Sequence, residues 1–178
     1  MGLKNFNFLK MCTIGVIPLL MAVDCLSSAA LYSVLYFTAM SVSSLSLYAL
    51  KNVTYRGKYL FAVVAAFSFN YFIYAVLLAG KYCAGGSPQM FVFISSVSVA
   101  GIYFDYEFKH FNGFLDFLKY FFIVAASGMA MFFTYGFLIY IFNDKLDNKI
   151  TFFSYPCSAI ITSAVCALLI SRLLKKMI

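Results

Sequence analysis

The chain is short of charge. Only 11% of its 178 residues are Asp, Glu, Lys or Arg, against 64% hydrophobic, and the mean hydropathy is +0.93. A soluble domain carries roughly a quarter charged residues, so the composition argues against a water-soluble globule. Histidine is nearly missing, since His110 is the only one, and this excludes metal sites built from several histidines. The five cysteines show no CxxC spacing, and there is no histidine pair to complete a zinc site. GxSxG, HExxH, P-loop and GxGxxG motifs are absent. No serine within an apolar run has a His or Lys beside it to act as base, and no pair of aspartates lies deep in such a run. Enzyme is therefore the minority reading, and no cofactor or metal is implied.

What the sequence has in quantity is apolar runs. Stretches of about 18 or more apolar residues need a bilayer. Met11 to Leu50 is one such block, interrupted only by DCLSS at 24–28. As a single helix it would be about twice as long as the roughly 30 Å hydrocarbon core; two helices with a tight hairpin at Asp24 fit. The spans then fall near 6–23, 28–50, 59–79, 89–104, 120–142 and 150–171. The expected fold is all-α, a polytopic transmembrane helix bundle of six spans forming a single integral membrane domain over 1–178. The connectors KNVTYRGK, GKYCAGGSPQ and NDKLDNK carry the Gly, Pro, Asn and charge that turns require. MGLKNFNFLK leads into apolar sequence without a small-residue cleavage site, and it reads as the start of a retained first helix.

Lys and Arg set the orientation. One side of the six-span layout collects ten of them: Lys4, Lys10, Lys51, Arg56, Lys58, Lys109, Lys119, Arg172, Lys175 and Lys176. The other side holds three, Lys81, Lys145 and Lys149. Both termini are therefore expected in the cytoplasm, most simply of a bacterium with this chain in its inner membrane. Lys51, Arg56, Lys58 and the C-terminal RLLKK would face anionic headgroups, or act only as topology determinants. Nucleic-acid binding fits poorly, because the charges are few and spread over four connectors.

Several residues stand out within the spans. Asn70, in AFSFNYFIY, is the most polar residue at mid-depth of the third span, and it reads either as a substrate contact or as an interhelical hydrogen-bonding group. Tyr32, Tyr36, Met40, Ser44 and Tyr48 recur every four residues in the second span, as the lining of a cavity for an aromatic or apolar ligand or as packing. Tyr155, Ala159, Ser163, Ala167 and Ser171 form a small-residue stripe on the last span, which would admit a partner membrane protein or a second copy of the chain. Pro18 and Pro156, read as internal to the first and last spans, are expected to kink them. Cys25 and Cys83 share the non-cytoplasmic side, where an oxidising compartment would allow a disulfide.

The fourth connector, GIYFDYEFKHFNGFLDFLK at 101–119, holds three of the six carboxylates and the one histidine. At 100° per residue, Asp105, Lys109, Asn112, Asp116 and Lys119 share one arc, and Phe104, Phe108, Phe111, Leu115 and Leu118 share the next. This pattern predicts an interfacial amphipathic segment over 104–119, although Asn112–Gly113 is also a turn signal. Glu107 falls among the aromatic residues, one turn from His110, so the two form a candidate gate or proton contact. The alternative is that Glu107 reaches water from a helix end.

The leading functional expectation is a transport or small-ligand-binding membrane protein without carboxylate-based ion coupling, its cavity lying between the aromatic second span and the Asn70 span. The alternative is a non-catalytic interaction protein, an accessory subunit or an exclusion or immunity protein, acting through helix packing. In layout alone the chain resembles the substrate-binding subunits of energy-coupling-factor vitamin importers, the rod-shape membrane protein, and small plasmid- or phage-encoded exclusion proteins. CTIGVIPLLMAV departs from the Ala-x-x-x-Ala pattern that the importer subunits place on their first helix. No functional residue carries over.

Overall fold

The computed structural model describes residues 15–53, 55–81, 89–107, 113–145 and 156–177, and no strand occurs among them. The helices are α1 (15–20), α2 (Leu26–Ala49), α3 (Tyr55–Ala79), α4 (Gln89–Glu107), α5 (Phe114–Ile139) and α6 (Pro156–Met177). A six-residue π-helical segment, Tyr140–Lys145, continues α5. Among the described residues three helices are long and apolar enough to cross a membrane: Leu26–Ala49, Gly57–Ala79 and Phe114–Phe142. The apolar part of α6, Cys157–Ile170, is about 21 Å long at 1.5 Å per residue, short of a roughly 30 Å core. Pro156 starts α6 instead of interrupting it.

α2 is the hub. It packs against α3, α4 and α5, while α3 also meets α4 and α5 meets α6. Its buried residues, among them Ala29, Leu35, Tyr36, Met40, Ser43 and Leu47, cover about half of its circumference, while Val34 and Leu45 on the opposite side are exposed. Glycines on the neighbours allow the close approach. Gly101 of α4 faces Ser43, Gly136 of α5 faces Ala29, and Gly128 of α5 lies under the Tyr36 ring, so that a methyl group at any of the three would overlap its neighbour. Between helices in lipid there is little hydrophobic drive, and such close backbone contact is a main source of adhesion.

The helix is interrupted at residues 21–25, around Asp24. Cys25 is the N-cap of α2: its Sγ accepts the Ser28 amide at 3.4 Å, while the Ser28 Oγ accepts the amides of Asp24 and Cys25, each at 3.1 Å. Reciprocal caps of this kind satisfy amides that the first helical turn leaves without partners.

The segment 104–119 is divided between two helices. Residues 104–107 close α4 and 114–119 open α5, with Gly113 as N-cap in extended backbone; 108–112 lie outside the described residues. The apolar arc does not rest only on a membrane surface. Phe104 and Phe117 are buried in the core with their rings edge to face at 5.6 Å, while Leu115 is 80% exposed. Gly113, the second residue of the Asn112–Gly113 turn signal, is where α5 begins.

Candidate functional site

α3 meets its neighbours along a stripe one residue wide. Lys58, Ala62, Ala66, Asn70 and Tyr74 are all buried, and their spacing of four puts them on one ridge. The alanines let the helix sit close, and polar groups anchor it at two heights.

The first anchor is Asn70. Its Nδ2 donates to the Leu35 main-chain carbonyl of α2 at 3.0 Å, and its Oδ1 accepts the Thr38 hydroxyl at 2.5 Å. Asn70 is fully buried, and its polar atoms are spent on α2.

The second anchor joins α3 to α4. The Lys58 Nζ and the Tyr59 hydroxyl both donate to Asp105 Oδ2 at 2.9 Å. The two charged side chains are only 10% and 16% exposed. The sequence pattern had placed Asp105 on a water-facing arc and Lys58 in a connector; the structure turns both into an interhelical contact. A carboxylate removed from water needs such donors, because its desolvation is otherwise uncompensated.

Beside this anchor lies a cluster of aromatic rings from α2, α4 and α5. Phe117 stacks on Phe121 at 6.2 Å, Phe104 meets both edge-on, and Tyr48 packs on Phe117 at 4.7 Å. Lys51 Nζ lies 5.5 Å from the Tyr48 ring centre, within cation–π range. Asp116 and Lys119 are exposed at the start of α5. This end of the bundle, where α2 and α4 finish and α3 and α5 begin, brings the buried ion pair, the aromatic cluster and the exposed Lys51, Asp116 and Lys119 together.

The remaining residues singled out from the sequence are distributed differently from expectation. Tyr36 is fully buried against α5, its ring 5.7 Å from Phe132, and Tyr32 is half-buried between two core clusters. Tyr36 therefore faces α5 while Asn70 faces the Leu35–Thr38 side of α2, and the two do not line one space between α2 and α3. Cys25 is a free, exposed thiol serving as a helix cap, and Cys83 lies outside the described residues. So do the Glu107 side chain and the whole of His110; Glu107 itself is the last residue of α4. On α6, Ala159, Ser163 and Ala167 are buried, and Ser158 beside them is 2.7 Å from the Tyr135 hydroxyl of α5. These three of the stripe's residues thus face the chain's own core, while Tyr155 and the Ser171 side chain lie outside the described residues. The outward side chains described on α6 include Ile160, Ile161, Val165, Leu168 and Leu169.

Among the described residues no group of three or more His, Cys, Asp or Glu is placed to hold a metal ion. Sequence reasoning missed the Lys58–Asp105 pair, whose partners are 47 positions apart. The fourfold spacing of the α3 stripe was present in YRGKYLFAVVAAFSFNYFIY, but without a polar face to set it off. No protein-family model matches the chain, and neither a curated protein nor a solved structure does.

Proposed function

We propose that the chain is a non-catalytic, multi-pass protein of a cell membrane that works by helix contact with another membrane protein. The observation that carries this reading is the closure of the α2–α3 contact by Asn70, whose amide reaches Leu35 and Thr38 directly. A transport or ligand-binding role would need Tyr32, Tyr36 and Asn70 to line a common cavity, and Tyr36 and Asn70 are committed to different neighbours. With the small-residue side of α6 used internally, the partner meets an outward face. The six-span layout with both termini in the cytoplasm of a bacterial inner membrane belongs to the same proposal, supported by the ten-to-three distribution of Lys and Arg. Lys51 is exposed and in this reading meets the headgroups of that side, whereas Lys58 is engaged by Asp105.

The test uses the full chain in its native membrane. A photo-cross-linking residue replaces Phe72 on α3 or Leu168 on α6, both more than half exposed, and bound small molecules are identified by mass spectrometry of the intact protein. The expected result is a discrete protein adduct from one face only. A small molecule retained at one per chain, and lost on Tyr32→Ala, would instead support the transport reading. Reporter fusions after Lys51, Lys81 and Ile178 check the layout.

A further inference from the structure

Of the three helices long and apolar enough to cross a membrane among the described residues, α3 is the least enclosed. In its most apolar 18-residue window 22% of residues are buried, against 44% for α2 and 50% for α5. Leu60, Phe61, Val64, Phe72 and Val76 on its outer side are each more than half exposed. In lipid, covering those residues brings no hydrophobic gain, so α3 is held by its buried stripe. Within that stripe the directional contacts sit twelve residues apart, about 18 Å along the axis, and they grip different neighbours: Asn70 holds α2, and Lys58 with Tyr59 holds α4.

The geometry points to a latch. The Lys58–Asp105–Tyr59 cluster pins the N-terminal end of α3 to α4, and when it opens that end moves away while Asn70 keeps the middle of the helix on α2 as a pivot. Two features favour local release over general loosening. Between Lys58 and Asn70 the stripe has only the side chains of Ala62 and Ala66, which add little grip once the close contact is lost. Removing one partner also leaves the other as an uncompensated charge at a helix contact, which drives that end toward water and headgroups. The C-terminal end of α3, where Tyr74 packs with Leu35 and Ile94, stays in place.

The latch is tested on the full-length chain in lipid vesicles. Ala62→Cys places a thiol on the buried stripe one turn from Lys58, and Ala66→Cys places one a turn nearer the pivot. Labelling by a membrane-permeant maleimide is followed peptide by peptide, with native Cys166 on α6 as internal reference. Asp105→Asn and Lys58→Met are each expected to raise labelling at position 62 by about tenfold or more. The rise at position 66 is expected to be smaller, with none at Cys166. The exchange Lys58→Asp with Asp105→Lys is expected to restore slow labelling, and Tyr59→Phe, which keeps the ion pair, to give an intermediate rate. Equal acceleration at positions 62 and 166 would mean general unfolding and overturn the latch. Unchanged labelling at position 62 in Asp105→Asn and Tyr59→Phe would overturn it as well.

Discussion

The side-chain amide of Asn70 donates to the main-chain carbonyl of Leu35 on the neighbouring helix at 3.0 Å, and this bond carries the most polar contact in the middle of α3. Polar contacts between membrane helices average about 0.6 kcal/mol and reach about 1.7. Asn70→Leu is expected to fall within that range. The Thr38 hydroxyl that loses its partner still has the Leu35 carbonyl 3.0 Å away, so no polar group is stranded. Asn70→Asp differs by one atom yet puts a carboxylate at mid-depth, where a charge costs about 2.5–3.5 kcal/mol. Unfolding in bicelles should therefore rank Asp as far worse than Leu. The reverse order would mean that Asn70 sits in water, as a ligand-binding site would have it.

Gly128 admits the Tyr36 ring, and a methyl group there would overlap the ring at its hydroxyl end. Overpacking a tight core contact costs about 1–3 kcal/mol, and Gly128→Ala is expected to cost that much even though alanine is the better helix former by about 1 kcal/mol. The double variant with Tyr36→Leu should be more stable than the sum of the two single changes predicts, because the shortened side chain vacates the space. Additive effects would show that α2 and α5 are further apart than the geometry has them.

These two contacts show which parts of the molecule the sequence exposes. One helix end coincides with composition, since the third span was expected to finish at 79 and α3 ends at Ala79. By contrast, α4 runs to Glu107 past the expected 104, and α5 starts at Phe114 ahead of the expected 120. Apolar length and turn residues are local properties, so a single chain displays them. Direction is another matter. α2 and α3 are apolar nearly all round, and with no polar face the hydrophobic period does not say which side meets which helix. Tyr36 and Asn70 were therefore assigned to one space when they face different neighbours. The stripe of Ala159, Ser163 and Ala167 was legible as a contact surface, but whether it served the chain or a partner was not. Asp105 was misplaced for a similar reason: an amphipathic arc treats every charge as water-facing, and only the fold brings Lys58 to it.

The cap of α2 makes stability depend on pH through Asp24. The Ser28 hydroxyl is the main influence holding that carboxyl below its ordinary value of 3.8, with partial burial acting against it and the Cys25 thiol and nearby amides assisting. A lowered value means that the fold favours the ionised form. The stabilisation is present above the unfolded-state value and is lost as pH falls below it, through the still lower folded-state value. Wild type should thus lose more stability than Asp24→Asn between about pH 5 and pH 3, measured as the difference in thermal midpoint in detergent. Ser28→Ala should shrink that difference and, since it also removes the cap, lower the midpoint at neutral pH. Parallel curves for wild type and Asp24→Asn would show that the turn does not stabilise the carboxylate.

The end of α3 gives a prediction in which neighbouring residues respond oppositely to expectation. A helix that stops at Ala79 with Gly80 next would ordinarily put the glycine in the left-handed position that closes the last turn. Here Lys81 takes that conformation, at φ 60°, and no described glycine does. The Gly80 amide still bonds Val76 at 2.9 Å, so the chain continues one residue beyond the helix before it turns. A side chain in the left-handed region costs about 1–2 kcal/mol, so Lys81→Gly is expected to stabilise by about 0.5–1 kcal/mol after the greater freedom of glycine in the unfolded chain is counted. Gly80→Ala should stabilise by about 0.4–1 kcal/mol, because alanine fits that backbone without strain. Chemical unfolding of the two variants decides the matter. If Gly80→Ala destabilises while Lys81→Gly has no effect, the helix closes on Gly80, one residue earlier, and Lys81 is not strained.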